Sequence, residues 1–215
     1  MIIRAQGDLL AADVDALVNT VNCVGVMGKG IALQFKRRYP DVFKEYERAC
    51  KAGEVQIGRM LVVPTHQMTG PRWVIHFPTK KHWRSPSQLD YIDAGLADLC
   101  EVIKDLELTS IAVPPLGAGN GGLDWAIVQP RIEDALAALP SVDVRLYAPS
   151  AQQRTLASAS GVHITWGRAL MLDLLRRYVE QRALAEPWGR QSRCLTSRDP
   201  KADVLRERVG PTSET

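Results

Sequence analysis

Two patterns of apolar residues alternate along the chain up to about Pro149. Short continuous apolar runs predict buried strands, and apolar residues recurring every three or four positions predict helices with one buried face. The predicted strands are residues 2–5, 16–20, 60–63, 73–77, 111–113 and 142–148. The predicted helices are residues 31–38, 42–51, 88–105 and 125–139, with Asp41 and Ser87 capping the second and the third.

This order of elements indicates an α/β domain. Strands that alternate with helices favour a mostly parallel sheet covered on both faces, because parallel strands need crossover connections. Ligands of such folds bind beyond the carboxyl ends of the strands. Polar and glycine-rich segments that directly follow a strand are therefore the candidate binding segments.

The chain changes character after Pro149. Residues 161–182 contain one further predicted helix, with Leu170, Leu174 and Tyr178 among its apolar positions. From Glu186 the chain is rich in Arg, Ser, Pro and Gly and has few side chains to bury, so we expect disorder there. The expected domain organisation is a domain over residues 1–155, a helical extension over 156–185 and a disordered tail over 186–215.

Composition narrows the class of protein. Apolar residues make up 46% of the 215 residues, and the net charge of +3 demands no nucleic-acid partner but leaves room for a local basic patch. The four cysteines are scattered and the four histidines lack metal-ligand spacing, which favours reduced thiols and no metal site. No apolar run approaches the ~20 residues of a membrane span, and no leader-like segment opens the chain. We expect a soluble, cytoplasmic protein.

One segment, PPLGAGNGGLDW at residues 114–125, stands between a predicted strand and a predicted helix. Glycine allows positive φ and close approach of the backbone to a ligand, and N–H groups at a helix start attract anions. The segment therefore predicts a phosphate-binding loop, with a flexible turn as the alternative. Its spacing matches neither the Rossmann fingerprint nor the P-loop. The loop residues are Gly117, Ala118, Gly119, Asn120, Gly121 and Gly122.

A second glycine-rich segment follows the strand of residues 16–20. Asn22 offers both a donor and an acceptor, as a ribose diol requires. Gly28 and Gly30 open the next predicted helix and form a second candidate phosphate cradle. Lys29 between them can neutralise a phosphate, or it is simply a solvated residue in a turn.

Three further residues each have two interpretations. Asp8, which follows the first strand and precedes Leu9, either accepts a hydrogen bond from an amine such as that of adenine or caps a turn. Asp124 either caps the helix after it or positions a catalytic group. Tyr147 ends the last predicted strand and either stacks on a base or packs in the core.

A basic and aromatic segment, KKHWR at residues 80–84, comes soon after a buried strand. Neighbouring cations disfavour one another's charge, so we expect a lysine here to have a pKa below the usual value of about 10.4. Such a lysine is a usable nucleophile or proton donor. Lys81, Trp83 and Arg84 combine phosphate contact with stacking, which suits single-stranded nucleic acid. A basic surface loop with one packed tryptophan is the alternative.

Together these segments resemble the macrodomain family of ADP-ribose-binding modules. NTVN at residues 19–22, MGKGIA at 27–32, FPTK at 77–80 and LGAGNGGLDW at 116–125 are most similar to the DarG type, the antitoxins of DarT/DarG toxin–antitoxin pairs. The resemblance extends over roughly residues 1–150. It implies a three-layer α/β/α fold with a mixed, mostly parallel sheet of about six strands, followed here by a short helical and disordered extension.

The resemblance also implies an activity, which is removal of ADP-ribose from thymidine in single-stranded DNA without a metal or redox cofactor. Lys80 matches the family's catalytic lysine, Asn22 would contact the distal ribose, and Asp124 matches an aspartate of related hydrolases. The residues expected to bind ADP-ribose are Asp8, Leu9, Asn19, Asn22, Gly28, Lys29, Gly30, Ile31, Gly117, Ala118, Gly119, Asn120, Gly121, Gly122 and Tyr147. Lys81, Trp83 and Arg84 would contact DNA.

Two other functions stay open on the sequence alone. One is a non-catalytic ADP-ribose reader, which would not need Lys80, and the other is a hydrolase of ADP-ribosylated protein carboxylates. DarG-type proteins usually carry a larger C-terminal domain that binds DarT, and only a segment like its first helix, residues 166–182, is present here. The expected partners are ADP-ribosylated single-stranded DNA and a cognate DarT toxin whose product the protein removes, with direct toxin binding left open.

Overall fold

The computed structural model of this protein describes residues 1–149, in which strands and helices alternate. The strands are β1 (Ile2–Ala5), β2 (Ala16–Asn22), β3 (Leu61–Pro64), β4 (Trp73–Lys80), β5 (Ser110–Val113) and β6 (Asp143–Tyr147). The α-helices are α1 (Gly30–Arg38), α2 (Pro40–Lys51), α3 (Leu89–Asp105) and α4 (Trp125–Ala137). A single 3-10 turn, Leu9–Ala11, separates β1 from β2.

The six strands form one sheet in the order β1-β6-β5-β2-β4-β3. Every neighbouring pair is parallel except β3 and β4, which are antiparallel. This confirms the predicted mixed, mostly parallel sheet. The carboxyl ends of the five parallel strands lie along one side of the sheet, called the carboxyl edge below.

Helices cover both faces of this sheet, because successive residues of a strand point to opposite sides. Ala16 and Val18 of β2 pack in a core with buried residues of α3 and α4, whereas Leu17 packs in a second core with Phe35 and Tyr39 of the α1 region. The predicted three-layer α/β/α architecture is therefore confirmed. Helix α3 has one buried face, with Ile92, Leu96, Leu99 and Ile103 at three- and four-residue steps.

A third, smaller core lies beneath the segment that follows β2. Its buried members are Val21, Met27, Tyr46, Ala49 and Val55. Met27 belongs to the loop after β2, and Tyr46 and Ala49 belong to α2. This core therefore attaches the loop after β2 to α2, which matters for the candidate site.

Two predicted helix caps are wrong. Helix α2 begins at Pro40, whose fixed φ suits the first helical position, so Asp41 lies inside the helix and pairs with Lys44 at 2.8 Å. Helix α3 begins at Leu89 after Gln88, and no side chain caps it. Ser87 instead donates its backbone N–H to the carbonyl oxygen of Gly121 at 3.0 Å.

Strands β2 and β4 extend farther toward the carboxyl edge than predicted. Strand β2 continues to Asn22 and β4 continues to Lys80, beyond the point where the apolar runs end. The ladder continues because backbone pairing does not depend on apolar side chains. Asn22 and Lys80 are therefore strand residues and not loop residues.

Some predictions fall outside the described residues. The helix over 161–182, the extension over 156–185 and the tail over 186–215 all lie there, as does the domain boundary at residue 155. Within residues 1–149, none of the helices is both long and apolar enough to cross a membrane.

Candidate active site

Asn22 and Lys80 are paired across the sheet at the carboxyl edge. They are register partners on the adjacent parallel strands β2 and β4, after an irregularity between Val21 and Asn22. The N–H of Cys23 donates to the carbonyl oxygen of Lys80 at 3.1 Å, which extends the pairing by one residue. Two polar residues 58 positions apart in the chain are thus held side by side by the ladder.

The side chain of Lys80 is half-buried, and its amine lies against the loop between β5 and α4. Its Nζ donates to the main-chain oxygen of Asn120, in the glycine loop between β5 and α4. Burial lowers the pKa of Lys80 below its usual value, because desolvation disfavours the charged ammonium. The predicted direction of the pKa shift is therefore confirmed, but the cause is burial and not repulsion between neighbouring cations. Lys81 lies over the ring of Tyr91 at 5.8 Å.

The loop between β5 and α4, residues 114–124 and called loop B below, is tightly folded. Gly117 and Gly122 have φ of +67° and +81°, and the N–H of Leu123 donates to the Gly117 oxygen at 3.0 Å. A Cβ on Gly121 would lie 2.2 Å from the same oxygen, so only glycine fits. Within residues 1–149, the backbone N–H groups of Gly119, Asn120 and Gly121 have no hydrogen-bond acceptor. Consecutive free N–H groups of this kind attract anions.

The segment between β2 and α1, residues 23–29 and called loop A below, comes close to loop B. Gly30, the first residue of α1, has φ of +60°, and a Cβ there would lie 2.8 Å from Asn120 Nδ2. Lys29 precedes α1 without a side-chain cap, so the first N–H groups of this helix are available to a ligand. Gly28 and Lys29 are exposed and Ile31 is half-buried. The two predicted phosphate-binding loops are therefore neighbours.

Asn22 organises loop A with its own side chain. Its Oδ1 accepts from the N–H groups of Val24 at 3.0 Å and Val26 at 3.3 Å, and its Nδ2 donates to the Val26 oxygen at 2.6 Å. The side chain is 6% exposed at the carboxyl edge. One of its two amide hydrogens remains for a ligand, so the predicted ribose contact stays a prediction.

Asn19 does not join the other predicted residues. Its side chain is fully buried, with Nδ2 3.3 Å from His76 Nδ1 and 3.9 Å from Met27 Sδ. Burial lowers the pKa of His76 to about 3, so this imidazole is neutral. The Asn19 side chain therefore faces the core beneath loop A, and the expected contact between Asn19 and ADP-ribose stays a prediction.

The two predicted aspartates are both exposed, and both cap a helix. Asp8 Oδ1 accepts from the N–H of Leu10 at 3.0 Å, and Asp124 Oδ1 accepts from the N–H of Ala126 at 3.0 Å. In each case the capping bond uses Oδ1 only, so the roles in adenine binding and catalysis stay predictions. Leu9 is 4% exposed and Tyr147 is 9% exposed, so both mainly fill the second core. Ala118 is also buried.

The segment after β4 presents a basic and aromatic surface directly beside Lys80. Trp83 is 46% exposed, and the guanidinium of Arg84 lies 4.5 Å from its ring centroid. The ring of His82 stacks on the ring of Trp83, with centroids 5.5 Å apart. A cation and exposed rings at the mouth of a site suit a single-stranded nucleic acid.

One buried residue that contacts the candidate site carries no signal in the sequence. Tyr46 is fully buried in α2 and donates its hydroxyl to the main-chain oxygen of Asn22 at 2.6 Å. A tyrosine among apolar helix positions predicts core packing alone, and its partner is 24 residues away. No group of residues among those described could hold a metal ion.

Comparison with known proteins agrees with this geometry. Residues 18–132 match the Macro domain family. The solved macrodomain of Mycobacterium tuberculosis DarG is 65% identical, with a TM-score of 0.69, and the match covers 70% of this chain and 99% of that one. The structure of Thermosipho africanus DarTG in complex with ADP-ribose is 36% identical, with a TM-score of 0.62, over 66% of this chain and 40% of that one.

A curated relative matches a longer stretch of the chain. The Mycobacterium tuberculosis protein named DNA ADP-ribosyl glycohydrolase is 61% identical over 188 residues, which is 87% of this chain and 53% of that protein. The chain thus spans about half the length of the curated relatives it matches first. One assignment follows from the six-stranded sheet, the two adjoining glycine loops and the family match over residues 18–132. The chain belongs to the macrodomain family.

Proposed function

We propose that the chain is a DNA ADP-ribosyl glycohydrolase, which removes ADP-ribose from thymidine in single-stranded DNA. The observation that carries this proposal is the position of Lys80. Its half-buried amine lies next to Asn22 and against Asn120, where the two glycine loops meet. A module that only held ADP-ribose would need the loops but not a lysine with a lowered pKa at this place. The names of the relatives described above support the same activity.

ADP-ribose would be held by backbone N–H groups that have no acceptor within residues 1–149. The N–H groups of Gly119, Asn120 and Gly121, together with those at the start of α1, would bind the diphosphate where loops A and B adjoin. Asp8, at the end of β1, would accept a hydrogen bond from the adenine amine through Oδ2. The distal ribose would then lie toward Asn22 and Lys80, at the end of the site formed by β2 and β4.

The reaction breaks the bond between the anomeric carbon of the distal ribose and a nitrogen of thymine. The base leaves with the bonding electrons and gains a proton, while water supplies the hydroxyl group that the anomeric carbon receives. The positive charge that develops on the ribose would be stabilised by the anionic diphosphate. Precise positioning of the anomeric carbon would lower the barrier further. Lys80 acts here either as the nucleophile, as a neutral amine, or as the proton donor to the base, as an ammonium. Asp124 would assist from the start of α4.

The DNA strand would pass over the basic and aromatic segment. Trp83 offers an exposed ring for stacking, and Lys81 and Arg84 offer cations for phosphates. We propose that the substrate is made by a DarT-type DNA ADP-ribosyl transferase, since the Thermosipho africanus relative is a DarTG protein. The chain would thereby act as an antitoxin, in the cytoplasm, where bacterial DNA lies.

The test uses a single-stranded oligonucleotide that carries ADP-ribose on thymidine. We expect the wild type to release ADP-ribose and Lys80→Ala to release none above background while still binding free ADP-ribose. Lys104→Ala is the matched control, because Lys104 is an exposed lysine of α3 that pairs with Glu101 at 2.8 Å. Binding of ADP-ribose without release by the wild type would indicate a reader. Release from modified protein carboxylates but not from the oligonucleotide would indicate a protein-directed hydrolase.

A further inference from the structure

Asn22 is held from below by a buried hydroxyl of α2. The hydroxyl of Tyr46 donates to the main-chain oxygen of Asn22 at 2.6 Å and lies 3.4 Å from its Oδ1. Tyr46 is fully buried, and its ring lies 5.0 Å from that of His76. Burial also raises the pKa of the Tyr46 hydroxyl, so it stays protonated and able to donate. The contact therefore persists over the pH range in which enzymes work.

The ladder alone leaves the orientation of Asn22 open. The register between β2 and β4 shifts between Val21 and Asn22, which is where a strand locally bends and re-aims a side chain. The carbonyl oxygen of Asn22 accepts the Tyr46 hydroxyl at this point. Tyr46 thus fixes the peptide plane of the residue that follows the irregularity.

Fixing Asn22 also fixes loop A. The Asn22 side chain makes three hydrogen bonds to the backbone of Val24 and Val26. The far end of the loop is attached by Met27, which is 3% exposed in the same core as Tyr46. A rotation of Asn22 would therefore displace the loop that leads to the diphosphate end of the site.

We propose that Tyr46 is a positioning residue, which orients Asn22 and loop A so that the anomeric carbon of the distal ribose is aimed at Lys80. This inference rests on the proposed function. Tyr46 touches neither the ribose nor the base, and it acts through Asn22. Misplacing reacting groups by about 1 Å lowers a rate by up to about 100-fold, so a single lost hydroxyl can be seen in kcat.

The kinetic test compares Tyr46→Phe with Tyr39→Phe. The control removes a hydroxyl from another tyrosine that is 4% exposed, in the second core rather than beneath loop A. We expect Tyr46→Phe to lower kcat about tenfold with KM within about twofold, and Tyr39→Phe to change neither by more than about twofold. In an Asn22→Ala background, Tyr46→Phe should lower kcat by less than about twofold, because the oriented side chain is absent. Equal losses in both backgrounds would overturn the proposal.

Amide hydrogen exchange tests the positioning without relying on activity. Tyr46→Phe should raise exchange at the N–H groups of Val24 and Val26, which donate to Asn22 Oδ1, and Tyr39→Phe should leave it unchanged. Unchanged exchange in Tyr46→Phe overturns the proposal whatever the kinetics show. If the wild type releases no ADP-ribose, the proposed function fails. The exchange result then decides by itself whether Tyr46 orients Asn22 and loop A.

Discussion

Lowering the pH from 7 to 5 should destabilise this protein by about 2 kcal/mol through the single imidazole of His76. His76 is fully buried in β4, and its Nδ1 lies 3.3 Å from Asn19 Nδ2. An amide nitrogen can only donate, so Nδ1 must accept and cannot carry a proton without facing another donor. Within residues 1–149, Nε2 has no hydrogen-bond partner to stabilise a charged ring.

The magnitude follows from the two states. Burial lowers the pKa of His76 in the folded protein to about 3, against an ordinary value near 6.5 in the unfolded chain. Between these values the unfolded state binds a proton and the folded state does not, so stability falls as the pH falls. The slope is about 1.4 kcal/mol per pH unit, and the 1.5 units from pH 6.5 to 5 give roughly 2 kcal/mol.

The assay is urea unfolding followed by tryptophan fluorescence at pH 7, 6 and 5. His76→Gln keeps an acceptor for Asn19 but cannot titrate, so it should lose less stability than the wild type over this interval, by about 2 kcal/mol. His82→Gln is the matched control, because it makes the same replacement at an exposed histidine. If the wild type and His76→Gln lose the same free energy of unfolding between pH 7 and 5, the reasoning is wrong.

Three further predictions concern the candidate site. The pH profile of kcat/KM should show the ionisation of Lys80 at a pH below 10.5. A rate that rises with pH across this ionisation identifies a nucleophile, and a rate that falls identifies a proton donor. A flat profile contradicts both roles. Gly121→Ala should lower the free energy of unfolding by about 1–3 kcal/mol through overpacking in loop B. Gly28→Ala should not lower it, because the added Cβ would meet only Val26, at 3.9 Å. Equal thermal midpoints of the two variants would contradict the clash at Gly121. Replacing Trp83 and Arg84 by Ala should weaken action on ADP-ribosylated DNA about tenfold or more while leaving affinity for free ADP-ribose unchanged, and equal losses in the two assays would argue against DNA contact.

The fold class was predictable because its signals are local. Apolar runs and three- and four-residue spacing lie within single elements, and they located all six strands and all four helices of residues 1–149. The boundaries were less predictable, because they depend on partners elsewhere in the chain. Asn22 and Lys80 look like loop residues in sequence, yet backbone pairing between β2 and β4 makes them the last residues of strands.

The candidate site was predictable in its parts and not in its arrangement. The glycines of loop B and the lysine of FPTK are visible as motifs, since bare backbone and a cation are properties of single residues. Asn19 looked equivalent to Asn22, but the Asn19 side chain is fully buried beside His76 and Met27, whereas Asn22 is the last residue of β2 at the carboxyl edge. The segments that cover a polar side chain come from elsewhere in the chain, which sequence spacing does not show.

The sequence by itself determined an α/β domain of the macrodomain type, two glycine loops and a lysine suited to catalysis. Only the tertiary structure decided that Gly30 adjoins Asn120, that Lys80 lies beside Asn22, and that Tyr46 holds Asn22 from below. It also decided why the pKa of Lys80 falls, which is burial by loop B and the sheet and not the charge of Lys81. The physical reason is the same throughout: composition and periodicity act within an element, whereas hydrogen-bond partners and desolvation depend on residues brought together from distant parts of the chain.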